Sequence, residues 1–318
     1  MDCGIGDNGG SKTLIQSANT LVDLGNDVIF VDNGRNQHTW NPLKAKHLII
    51  KDYTQIPEAD VIIATGIKTV DSTDKCNIKN KYHWIRAHET WELIEKDVIR
   101  IIKESPSLKI VNSICLQNKL KQFNINSTII RPGYDFNESF PLNIRNKNSK
   151  IVLGGLHCSK GRKRIYWIFE SFKRLRKKFD MELYMYGTEK PSSLVSLYEK
   201  NPNPIIKNNM YNKIDIWMAP TNSEGLHMPP AEAGLTECCV VATNSELSGT
   251  QDYITNLKTG LVSDDNLESF IEAIQKAIDN KDLRYELGKN LRNKILELGN
   301  REDNMKELIK VFENECNR

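Results

Sequence analysis

A chain of 318 residues that is 39% hydrophobic favours two domains with ordinary cores over one. Its 44 basic and 41 acidic residues leave a net charge of +3, which excludes the basic imbalance of a nucleic-acid binder. Seven cysteines (Cys3, Cys76, Cys115, Cys158, Cys238, Cys239 and Cys316) lack C-x-x-C spacing, so neither a disulfide framework nor a zinc site is expected. Thiols inside apolar runs such as CCVVAT read as small core residues in a reducing, cytoplasmic compartment. No apolar run is long enough to cross a bilayer, and MDCGIGDNGG does not read as a signal peptide.

The chain opens with a Gly-rich loop, GIGDNGGSKT (4–13), leading into a helix predicted over 11–24. Strands are expected at 27–32, 47–52, 60–65, 82–87, 109–113 and 127–133, with helices over 89–104 and 114–123. The polar stretch NESFPLNIRNKNSK (137–150) interrupts the pattern. A second series then begins: strands at 150–155, 182–187, 204–208, 215–220, 238–243 and 260–263. Its helices are expected over 162–178, 192–200, 229–236, 266–279, 281–296 and 301–315. Near-continuous apolar strands alternating with helices predict parallel sheets covered on both faces. Two such series predict an α/β chain of two Rossmann-like, doubly wound domains, 1–143 and 144–300, with a helix at 301–318 packing back on the first.

The segment TNSEGLHMPPAE (221–232) holds two glutamates eight residues apart. Glu224 falls in a loop at the carboxyl end of strand 215–220, where open α/β sheets bind ligands. Gly225 allows close backbone approach, and Pro229 and Pro230 suit a first helical turn. Glu232 lies just inside that helix, where the dipole favours a carboxylate. The arrangement suits two acceptors gripping a polyhydroxylated ligand with an anionic group between them. On spacing alone, a first-turn dipole residue and a solvated loop carboxylate describe the pair better.

VLGGLHCSKGRKR (152–164) reads as a strand, a Gly-rich turn and a lysine, Lys160, at a helix start, which suits phosphate. A basic, solvated helix face is the alternative. The N-terminal loop does not match a nucleotide-hydrolysing P-loop, because Lys12 follows Ser11 rather than a glycine. It superficially matches a dinucleotide fingerprint through Gly4, Gly6 and Gly9, with Asp32 ending the next strand, but no strand precedes it.

Together these segments resemble the GT-B glycosyltransferases, specifically glycosyltransferase family 4. The Gly loop followed by LGNDVIFV, then IRPGYDFNESF (130–140), GGLHCSKG, SEGLHMPPAEAGLTECCVVAT and SGTQDYITNLKTGLVS (248–263) follow the family's order over nearly the whole chain. The resemblance implies two domains facing across a cleft, a nucleotide-diphosphate sugar as donor, no bound metal or other cofactor, and retention of anomeric configuration. It implies roles by position. Lys160 neutralises the leaving diphosphate, with the turn glycines Gly154 and Gly155 beside it. Glu224 and the amides of Gly225, Leu226, His227 and Met228 hold the donor sugar and phosphate, and Glu232 accepts from the ribose. Gly9 and Gly10 pass close to the diphosphate, and His88, in IRAHETWE, faces the reacting sugar. The glutamates are then hydroxyl acceptors rather than a glycosidase pair.

The sequence departs from the family twice. Gly155 stands where the family has an arginine, so Lys160 acts with helix dipoles, or Arg162 or Arg164 reaches back. Only Met1, Asp2 and Cys3 precede Gly4, so the family's first strand is expected to be missing or truncated. The acceptor is a glycan, lipid-linked or protein hydroxyl that the sequence leaves unread. The basic stretch 161–179 offers peripheral contact with anionic lipid as an alternative to a solvated face. A non-catalytic nucleotide-sugar-binding or partner protein of the same fold is the competing reading.

Overall fold

The computed structural model describes residues 5–91, 93–145, 150–189 and 192–316, with 315 and 316 as backbone only. Cys3, Gly4, the tract 146–149 and the side chain of Cys316 lie outside the described residues. The chain forms two units, Met1–Gly133 with Gly299–Arg318, and Tyr134–Leu298. The division falls before the polar stretch rather than within it. Residues past 133 are tied to the second unit, where Asn208 and Asn212 accept from the amides of Phe140 and Leu142.

In the first unit α1 (Gly9–Asp23) is followed by β1 (Ile29–Asp32), β2 (Lys46–Ile49), β3 (Val61–Ala64), α2 (Val70–Lys75) and β4 (Asn80–Ile85). Then come α3 (Glu95–Glu104), β5 (Leu108–Val111), α4 (Ile114–Lys121) and β6 (Thr128–Ile129). All pairings are parallel, in two sheets, β1-β2 and β3-β4-β5-β6. Among the described residues no strand joins β1 to β3. Asn8 caps α1 by accepting from the Ser11 amide at 2.9 Å, and Leu14, Ile15 and Ala18 bury one face against Phe30. The expected helix over 89–104 starts only at Glu95, and α2 was not foreseen.

The second unit runs β7 (Ile151–His157), α5 (Ile165–Leu175), β8 (Met181–Gly187), β9 (Leu197–Lys200), α6 (Pro204–Tyr211), β10 (Ile216–Ala219), α7 (Met228–Leu235), β11 (Cys239–Thr243), β12 (Leu261–Ser263), α8 (Leu267–Asp279) and α9 (Lys281–Glu297). Helix α10 (Arg301–Cys316) returns to the first unit, where Met305 and Leu308 are buried with Tyr82, Trp84 and Ile110. The second unit's sheet has the order β12-β11-β10-β7-β8-β9, parallel throughout. That is the doubly wound order, with its switch point between β7 and β10. Alternation along β10 sends Ile216 and Met218 to one core with Phe172 and Phe270, and Trp217 and Ala219 to the other with Tyr211 and Leu235.

Two expectations here exchange places. Residues 192–200 supply strand β9 instead of a helix, and 204–208 open helix α6 instead of a strand. The apolar Ile205 and Ile206 suggested a strand, but both are exposed. Pro204 at the first helical positions and the Asn203 side chain, accepting from the Ile206 amide at 2.9 Å, start a helix there. β7 also runs past its expected end, through Gly154 and Gly155 to His157. A Cβ on Gly154 would stand 2.5 Å from Ile214 Cδ1, and one on Gly155 2.7 Å from Ile168 Cδ1. Both glycines therefore let side chains lie flat on a central strand, and the turn comes after them.

Among the described residues, Cys76, Cys115, Cys158, Cys238 and Cys239 form no disulfide. No helix among the described residues is long and apolar enough to cross a membrane.

Candidate functional site

The loops after β7 and β10 leave the sheet at its switch point, the place where open α/β sheets generally bind ligands. They are bonded to one another. The Asn222 amide and the Thr221 hydroxyl both donate to the Arg162 carbonyl, at 3.1 and 3.0 Å. A third loop, after β11, closes the crown: the Leu247 carbonyl accepts from the Glu224 amide at 2.7 Å, and the Gly249 carbonyl from the His227 amide at 3.1 Å. Gly249 has φ +72°, and a Cβ there would stand 2.8 Å from Glu224 Cβ and 2.9 Å from the His227 nitrogen. Only glycine fits that approach.

Glu224 faces cations. Lys163 Nζ is 2.5 Å from Oε1, and Arg162 Nε is 3.8 Å away. Burial pushes the Glu224 carboxyl up, but its neighbours, Lys163 first among them, together outweigh this and hold it below the usual carboxylate range. His227 is buried behind them, and burial, aided by Lys163, lowers its pKa to about 3, so the ring is neutral at neutral pH. The Tyr253 hydroxyl donates to its carbonyl at 2.5 Å. Lys160 is exposed on the same turn, which Glu189 braces by accepting from the Ser159 amide at 3.0 Å and from its hydroxyl at 3.0 Å. Arg164, in the left-handed region at φ 47°, pairs with Asp265 and lies over the Trp167 ring at 4.5 Å, so it turns away from Glu224.

The helix α7 offers fewer amides than its position suggested. Pro229 and Pro230 occupy its second and third residues and have no N–H, and the His227 amide is committed to Gly249. Attraction for an anion therefore comes mainly from the side-chain cations, with the Met228 end of the helix and its dipole adding to it.

Glu232, one helical stretch further, has its own surroundings. Its Oε2 accepts from Tyr211 Oη at 2.8 Å and lies 2.9 Å from Lys207 Nζ. The two glutamates are thus held by different groups.

The remaining expected residues belong to the first unit. Gly9 and Gly10 begin α1, where Arg86, at the end of β4, donates to the Gly10 carbonyl. Burial lowers the Arg86 guanidinium to about 10. His88 Nε2 is 3.1 Å from Glu95 Oε1, a carboxylate that also holds Lys119 at 2.9 Å. Sequence reasoning missed Lys163, Lys207, Tyr211 and Gly249. Lys163 was read among solvated basic residues. Lys207 and Tyr211 show their i, i+4 relation only once 204–211 is known to be helical.

Residues 148–280 match the family described as glycosyl transferases group 1. The capsular polysaccharide biosynthesis glycosyltransferase CapM of Staphylococcus aureus is 26% identical over 220 residues, covering 61% of this chain and 56% of CapM, so the chain spans little more than half that relative's length. HepE of Anabaena, solved with UDP-glucose, superposes with a TM-score of 0.79 at 11% identity, over 98% of each chain. Sucrose-phosphate synthase of Thermosynechococcus elongatus superposes with a TM-score of 0.78 at 14% identity, over 99% of this chain and 95% of that one. Residues 148–280 thus carry a domain similar to the glycosyl transferases group 1, and the chain shares its α/β fold with these solved neighbours.

Proposed function

We propose that the protein transfers a sugar from a nucleotide-diphosphate sugar to an acceptor hydroxyl, with retention of configuration, as a member of family 4. The observation that carries this reading is the cationic turn at the switch point, where Arg162 and Lys163 face Glu224 across two bonded loops. Breaking the bond from the sugar's anomeric carbon to the diphosphate leaves positive charge on the ring and adds negative charge to the leaving group. Fixed cations beside the diphosphate stabilise that state more than the ground state. The bond to the acceptor oxygen forms on the same face, and the departing phosphate oxygen takes the acceptor's proton, so no protein nucleophile is required. Lys160 supplies the mobile cation, Glu224 accepts from sugar hydroxyls, and Glu232 accepts from the ribose. The roles of Gly9, Gly10 and His88 in this reading rest on the resemblance alone. Because lysine and arginine side chains neutralise the leaving group, the reaction runs without a bound metal.

A glycan, lipid-linked or protein hydroxyl is the acceptor class. HepE, solved with UDP-glucose, makes a UDP-sugar the first donor to try. The experiment is release of nucleoside diphosphate from UDP-, GDP-, ADP- and dTDP-sugars, with and without EDTA, followed by product stereochemistry. Donor-dependent release that survives EDTA and yields retained linkages is expected. Loss of activity in EDTA restored by Mn²⁺ would overturn metal independence. The second reading, a non-catalytic nucleotide-sugar binder or partner subunit, draws on Gly155, whose missing side chain faces Ile168 in the core and contributes no cation. Tight donor binding with no transfer to any acceptor would favour it.

A further inference from the structure

Lys207 is an unusual residue to bury. Its side chain is 9% exposed, and its ammonium lies 2.9 Å from Glu232 Oε2. Tyr211, one turn further along α6 on the same face, sends its hydroxyl proton to the same oxygen at 2.8 Å. The Tyr211 oxygen is in turn 2.8 Å from that of Tyr186. A phenol has one proton, and Tyr211 spends it on a carboxylate that can only accept, so Tyr186 must be the donor to Tyr211. The result is a one-directional chain, Tyr186 to Tyr211 to Glu232, ending beside an ammonium. The Tyr211 and Trp217 rings pack 5.2 Å apart in the core, so the chain is anchored where side chains move least. Burial, with the Glu232 charge nearby, raises both phenols well above their ordinary value and keeps them protonated.

We propose that Lys207 and Tyr211 are positioning residues for the nucleotide's ribose: by holding Glu232 through Oε2 they aim its carboxylate at the ribose diol. Lys207 has a second effect, because it cancels the Glu232 charge beside a site that must receive an anionic diphosphate. Each glutamate of the segment is matched in this way, Glu224 by Lys163 and Glu232 by Lys207. The inference rests on the donor-site reading above and adds the residues that orient its ribose contact.

The test measures binding of UDP, GDP and ADP and of their 2′-deoxy counterparts to the full chain by calorimetry. The wild-type protein should favour the ribose form of its preferred nucleotide by at least about tenfold, the loss expected for one hydrogen bond to a charged acceptor. Tyr211→Phe, which removes one hydroxyl and keeps the ring, should reduce that preference several-fold. Lys207→Met should bring it to within about twofold. Because Lys207→Met leaves a buried carboxylate unpaired and can unfold the domain, Lys207→Met with Glu232→Gln is the companion variant. In the Glu232→Gln background neither further change should move the ratio. A ratio unchanged by Lys207→Met and Tyr211→Phe, but erased by Glu232→Gln, would overturn the positioning role and leave the ribose contact standing. A ratio unchanged by Glu232→Gln, or no binding of any of these nucleotides, would overturn both.

Discussion

Glu224 and Glu232 stand eight residues apart, and each is set against a lysine, but the lysines come from different kinds of element. Lys163 sits on the turn after β7, so its pair bridges two loops at the switch point. Lys207 sits on α6, so its pair joins two helices and is backed by Tyr211 in the core. In the proposed reaction, loops carry the group that would meet changing charge, and helices the group that would meet an unchanging ribose. A contact that must strengthen as the diphosphate leaves belongs on the turn, whereas a contact that is equal throughout the reaction gains from rigid support.

The largest expected effect tests the loop half. Lys160→Ala should lower kcat by roughly 10²–10³-fold, about 2.7–4 kcal/mol of transition-state stabilisation, with donor binding little changed. Steady-state kinetics against single-turnover binding measures the split. A variant with wild-type kcat removes Lys160 from the reaction.

Lys163→Met should lower stability as well as turnover. It leaves the Glu224 carboxylate, 14% exposed, without its nearest cation, which costs towards the lower end of roughly 3–5 kcal/mol. Its pH dependence has a definite sign. In the wild type the folded Glu224 pKa is depressed, so the pair stabilises fully above the ordinary carboxylate range and is lost as pH falls through the depressed value. In the variant burial acts with less opposition and shifts the Glu224 pKa upward. The Tm gap between the two proteins should therefore be widest near neutral pH and narrow in acid. Thermal melts across that range check it, and a gap that widens in acid contradicts the assignment.

Gly249→Ala probes what holds Glu224 from the other side. The left-handed conformation alone costs about 1–2 kcal/mol with a side chain, and the new Cβ meets Glu224 Cβ at 2.8 Å. Lower Tm and lower kcat together are the expected outcome. At the helix half, Glu232→Gln should raise donor KM about tenfold and leave kcat within about twofold, because the ribose contact is uniform. A fall in kcat without a change in KM would erase the contrast between the halves.

Much of this was legible in one dimension. Near-continuous apolar strands such as CCVVAT and DIWMAP could only be central parallel strands, and both fall within or close to their expected limits as β11 and β10. The site segment could be placed because a loop after a buried strand, followed by Pro-Pro, has few other interpretations. Errors gathered where local and tertiary preferences compete. Ile205 and Ile206 look like strand residues, but capping by Asn203 and burial of Lys207 and Tyr211 on the other face made the segment helical. The strand expected at 150–155 stopped two residues short because glycine is common in turns; β7 continues to His157, with Ile214 and Ile168 lying flat over Gly154 and Gly155.

The sequence by itself determined the layered α/β architecture of the second unit and the location of the Glu224 loop, because both follow from local patterns of burial and punctuation. Only the tertiary structure decided which cation each glutamate meets. Lys163 is 61 positions before Glu224, and Lys207 is 25 positions before Glu232. Neither partner is fixed by spacing, since an ion pair between elements depends on strand order and helix docking. The switch between β7 and β10 brings the first pair together, and the packing of α6 against α7 makes the second.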